Sequence, residues 1–100
     1  MKSGYKILWT DHALSELENT VIYLEENWTE RELKNFSHEL DHIVELISKN
    51  PELFQVSGKR KNVRRVVVAR FNTLYYRINN DSVEILSFFS NRQDSDKIRL

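Results

Sequence analysis

Seven basic side chains stand between residues 59 and 77 without one acidic residue among them: Lys59, Arg60, Lys61, Arg64, Arg65, Arg70 and Arg77. Guanidinium and ammonium groups in such a run attract anions, both through their summed field and through charge-assisted hydrogen bonds. Tyr75 and Tyr76 lie inside the same run. Adjacent strand residues face opposite sides, so one phenol is expected in the core and the other free to stack on a base or a partner side chain. Arg70 and Arg77 are expected to add field rather than specific contacts. The chemistry on offer is anion binding.

A second pattern offers different chemistry. His38-Glu39-Leu40-Asp41-His42 satisfies H-E-x-x-H, in which two histidines one helical turn apart hold zinc and the glutamate activates a water. At about 100° per residue, His38 and His42 fall opposite the apolar stripe centred on Leu40, on the face shared with Arg31, Lys34, Glu45 and Lys49. The pattern therefore reads as a solvated helix face, and no metal is expected. His12 falls in the first turn of a helix with no partner evident. No Ser/His/Asp arrangement, carboxylate pair or glycine-rich phosphate loop stands out, and Gly58-Lys59 alone does not make one. No cofactor is expected.

These residues need elements to hold them. The chain has 100 residues, 40% of them apolar, no cysteine, two glycines and one proline. That is enough for a single domain over residues 1–100 with one core. Without cysteine there are no disulfides, no thiolate catalysis and no Cys-based zinc site, which agrees with a cytoplasmic location. The absence of a long apolar run at the N-terminus or elsewhere argues against a signal peptide and a membrane span. A formal net charge of zero hides a split: residues 1–57 carry five Lys/Arg against eleven Asp/Glu, and residues 58–100 carry ten against four. The basic half is thus set to face something anionic.

Tyr5–Trp9 alternates as a short strand, after which Thr10 or Asp11 can cap a helix. Leu14, Leu17, Val21, Leu24 and Trp28 then recur at helical spacing and predict one buried stripe. Thr29-Glu30-Arg31-Glu32 is a capping box opening a second helix with the stripe Leu33, Phe36, Leu40, Ile43 and Ile47, stopped by Asn50-Pro51. So short a join at 27–29 predicts an antiparallel helical hairpin. Residues 63–69, 74–78 and 83–89 are apolar, largely β-branched or aromatic runs. Asn79-Asn80-Asp81 supplies one turn, and Arg70-Phe71-Asn72-Thr73 is expected to make the other. The fold class is α+β: N-terminal strand, antiparallel helical hairpin, then a three-stranded antiparallel meander. Alternation sends one of Arg64 and Arg65 toward the helices and the other away.

In this order and spacing, YKILWTDHAL, the helix end ISKNPELF, the strand RRVVVARF, LYYRI and the segment VEILSFFSNRQ, with Arg92 after the last strand, resemble the RelE/ParE superfamily of type II toxins over Tyr5 to about Gln93. The resemblance implies a cytoplasmic growth inhibitor neutralised by a cognate antitoxin. It implies one of two targets: DNA gyrase for ParE-like members, or the ribosome and its mRNA for RelE-like nucleases; a non-toxic antitoxin-binding module is a third reading. By the resemblance, Arg64 and Arg65 match the basic first strand of the meander and Arg92 the arginine after the last. Thr73 stands where the nuclease pattern has arginine, and Ile98 where it has a C-terminal tyrosine. Arginine stays protonated and is a poor general base. The ParE-like reading is therefore favoured, with Lys61, Arg64, Arg65, Arg70, Tyr76, Arg77 and Arg92 as target-binding candidates.

Overall fold

A computed structural model of the protein describes residues 4–58, 62–70 and 72–90. In chain order the elements are β1 (Lys6–Trp9), α1 (Asp11–Asn27), α2 (Glu30–Lys49), β2 (Val63–Val68), β3 (Asn72–Asn79) and β4 (Ser82–Ser90). Local chemistry accounts for the boundaries. The Thr10 hydroxyl takes the Ala13 N–H at 3.2 Å and starts α1. Thr29 and Glu32 complete the expected capping box at the start of α2, each side chain accepting from the other's backbone. Asn50 then ends that helix ahead of Pro51.

The strands form one sheet in the order β1-β4-β3-β2. The β2, β3 and β4 strands are the expected antiparallel meander, while β1 lies parallel to β4, with Lys6 opposite Ser82 and Trp9 opposite Ile85. Buried side chains of both helices, including Leu24, Phe36, Leu40 and Ile47, join Val68, Leu74, Tyr76, Val83, Ile85 and Phe88 of the sheet in one core. Phe88 sits between two other rings, edge-on to Phe36 at 6.0 Å and tilted against Trp9 at 6.5 Å. No described helix is long and apolar enough to cross a membrane.

Two expectations change. Leu17, Val21, Leu24 and Trp28 of the expected α1 stripe pack on the core, joined by buried Ala13 and Thr20, but Leu14 remains 47% exposed. Thr10 donates both its N–H and its hydroxyl to the Ile85 carbonyl, which sets the helix start beside β4. Small side chains then fit the close approach better than leucine does. The β2–β3 turn also comes earlier than expected. Ala69 and Arg70 occupy it with φ of 52° and 72°, and Asn72 is already in β3 opposite Val68.

Past Trp9 the strand β1 ends, and β4 would present bare backbone there. Glu16 of α1 takes its place. Its Oε1 accepts from the Phe88 N–H at 2.8 Å and from the Ser87 hydroxyl at 2.7 Å, with His12 Nε2 3.3 Å away. A side-chain carboxylate thus continues the pairing that a backbone began. At the opposite edge, Gln55 and Ser57 bond the backbone of Arg65 and Val63.

Candidate anion-binding surface

The basic run divides by face. Arg64 is half-buried and opposite Tyr76, and its Nη1 donates to the Phe54 carbonyl at 2.7 Å. Tyr76 is fully buried and its hydroxyl donates to the Pro51 carbonyl at 2.7 Å. Burial pushes the Tyr76 phenol above its ordinary pKa, against the opposing pull of the Arg64 charge and a backbone contact at Phe54. These two candidates therefore pin the segment after α2 to the sheet. Tyr76 has no face left for stacking, whereas its neighbour Tyr75 is partly exposed.

Arg77 is exposed but engaged, with Nε and Nη2 on Glu84 Oε1 at 3.0 and 2.7 Å across the β3–β4 pair. Arg65 and Arg70 remain. Both are exposed, and among the described residues neither has a carboxylate within ion-pair distance. Arg65 lies opposite Tyr75 on the face turned away from Tyr76, so a cation and a phenol stand together there. Lys61 and Arg92 lie outside the described residues, as does Ile98. Within the expected surface around Arg64 and Arg65, alternation on β2 turns Arg64 inward and leaves Arg65 beside Tyr75, while Arg70 lies apart from them on the β2–β3 turn, next to α2.

Arg70 owes its position to a strained backbone. Two consecutive non-glycine residues in the left-handed region cost about 1 kcal/mol or more each. Turns of this kind ordinarily use Asn, Asp or Gly, which is why Ala69-Arg70 gave no turn signal in the sequence. Glu39 of α2 meets this turn: its Oε2 accepts the Ala69 N–H at 2.9 Å. Beside that contact, a depression of about 310 Å³ is lined by Trp28, Glu32, Asn35, Phe36, Glu39 and the turn residues Ala69 and Arg70. Sequence reasoning missed Glu39 because its partner is 30 residues away.

The zinc-like pattern behaves as a helix surface. His38 and His42 are exposed on α2, and no group of three or more His, Cys, Asp or Glu suited to a metal occurs among the described residues.

A helical hairpin packs on a four-stranded sheet that carries two exposed arginines, Arg65 and Arg70, with no carboxylate in ion-pair reach among the described residues. The family is fixed by comparison: residues 7–95 match the model for the ParE toxin of the type II toxin–antitoxin system parDE, and the chain belongs to that family. It is a toxin component whose partner is an antitoxin. Comparison with curated proteins by sequence alone finds no significant match. Among solved structures, the chain is similar in fold to one from the chromosomal ParDE toxin–antitoxin system of P. aeruginosa, with a TM-score of 0.72 at 12% identity, covering 89% of this chain and 98% of that one. The YoeB dimer from Staphylococcus aureus gives a TM-score of 0.59 at 12% identity over 87% and 97%. The conserved hypothetical protein HP0894 from Helicobacter pylori gives 0.53 at 14% identity over 88% and 96%.

Proposed function

We propose that this toxin acts as a gyrase poison, binding DNA gyrase through Arg65 and Arg70 and blocking religation, rather than cutting mRNA. The observation that carries this reading is the chemistry of the exposed cations. Cleavage of RNA by its own 2′-hydroxyl needs a group to take a proton and another to return one. Arg65 and Arg70 stay protonated at any working pH, so they can hold an anionic surface but cannot serve as the base. Tyr76 is committed to Pro51 in the core, and the partly exposed Tyr75 beside Arg65 serves in this reading as a stacking surface for the partner. The same cations suit an acidic antitoxin segment, which would neutralise the toxin by covering them. The protein is expected to act in the cytoplasm.

The test is a supercoiling assay with purified toxin and gyrase, alongside induced expression in cells. Inhibited supercoiling and growth arrest, both weakened in Arg65→Ala with Arg70→Ala, support the reading. Normal supercoiling with codon-positioned mRNA cuts overturns it in favour of a RelE-like nuclease. Growth without effect in every host tried leaves an antitoxin-binding module and removes the toxin mechanism.

A further inference from the structure

We propose that Glu39 is a positioning residue, holding the β2–β3 turn in the left-handed form that presents Arg70 to the target. Three observations converge on it. Ala69 and Arg70 both have positive φ, 52° and 72°, in a turn that contains neither glycine nor asparagine at those positions. The Ala69 N–H, at the first of them, is met at 2.9 Å by a carboxylate from a separate element. Arg70, at the second, is exposed and has no carboxylate in ion-pair reach among the described residues.

The physical logic connects them. A left-handed pair of residues with Cβ atoms relaxes toward ordinary turn conformations unless something outside the turn holds it. A hydrogen bond from an amide to an ionised acceptor is stronger than one between neutral groups. Glu39 comes from α2, whose Phe36, Leu40 and Ile43 are anchored in the core. The helix therefore supplies a fixed post, and the turn is tied to it at one backbone atom. Release of that tie changes the direction in which residue 70 leaves the sheet without disturbing the strands on either side. Outlier geometry of this kind is stored where structure over-determines it, and here the Val68–Asn72 pairing flanks the turn while the Glu39 carboxylate ties it from outside the sheet. The inference that the held turn serves target binding rests on the function proposed above; the holding itself does not.

Two readouts separate these layers. Amide hydrogen exchange at Ala69 reports the tie directly, and growth arrest on induced expression reports its use. In Glu39→Ala, Ala69 exchange is expected to accelerate roughly tenfold or more, with Glu39→Gln intermediate because its carbonyl still accepts. Growth arrest is expected to fall to the level of Arg70→Ala, while the thermal midpoint stays close to that of the wild type. Adding Ala69→Gly to Glu39→Ala removes the Cβ penalty, so the turn forms without its tie and arrest is expected to return. Unchanged Ala69 exchange in Glu39→Ala overturns the proposal whatever the cells do. Full arrest by Glu39→Ala where Arg70→Ala is inactive overturns the positioning role. If Arg70→Ala or the wild-type chain shows that Arg70 plays no part in arrest, the working-surface reading falls and the positioning role with it. Exchange then decides the holding of the turn alone.

Discussion

Tyr76→Phe removes one oxygen from the interior and nothing else, which makes its cost computable from the structure. The hydroxyl lies in the core and donates to the Pro51 carbonyl at 2.7 Å, and Pro51 itself is buried. Loss of the donor leaves that carbonyl without its partner in a place water does not reach. An unsatisfied buried acceptor costs about 1–3 kcal/mol. For a protein of this size each kcal/mol moves the midpoint by about 4–8 °C. Thermal denaturation at pH 7 is therefore expected to show Tyr76→Phe about 4–24 °C below the wild type. The pH dependence sharpens the case. Burial raises the phenol's pKa from the ordinary value of 10.0. Above that value the unfolded chain releases a proton that the folded chain retains, so the unfolded state binds fewer protons and stability falls as pH rises. Phenylalanine has no proton to lose. The gap between the two proteins is accordingly expected to hold below pH 10 and to narrow above it, measured by urea denaturation across the range. Equal stabilities at pH 7, or a gap that stays constant well above pH 10, would refute the buried-donor argument.

The carboxylate that completes the β4 edge is open to a similar test. Glu16→Ala orphans the Phe88 N–H and the Ser87 hydroxyl together, and with Glu16 partly solvated a loss of about 2 kcal/mol in urea denaturation is expected, with Glu16→Gln losing less. Gly4→Ala is expected to lower the thermal midpoint through a clash with Ser48 and a strained φ. A Cβ there would lie 2.7 Å from Ser48 Oγ and 3.1 Å from Ser48 O, at a φ of 156°. Ser48→Ala in the same chain relieves the first contact and should recover only part of the loss.

What could be read from the sequence was whatever a residue settles with its near neighbours. Thr29 and Glu32 announce the start of α2 because both partners of the capping box lie within four residues. Asn80 announces the β3–β4 turn because asparagine tolerates the φ of 59° found there. Glu39 and Glu16 looked like ordinary helix-surface charges, since the amides they satisfy belong to the β2–β3 turn and to β4, far along the chain. Ala69-Arg70 was misplaced for the complementary reason: its local preference opposes its conformation, and a distant carboxylate outweighs it. The site followed the same division. Alternation on β2 separated Arg64 from Arg65, but only the structure showed that Arg64 is spent on Phe54 and Arg77 on Glu84.

The parallel pairing of β1 with β4 fixes the order in which this chain can be completed during its synthesis. The two helices of the hairpin meet through contacts close in sequence, and the meander closes through short turns. The first strand has to wait, because Thr10 finds its acceptor on Ile85 across 75 residues. Until β4 has emerged from the ribosome, Ile7 and Trp9 have no register and the start of α1 has no anchor. A nascent chain stopped before residue 82 lacks the strand that anchors both β1 and the start of α1, and so cannot complete the fold. Completion of the fold is thus gated by the emergence of β4.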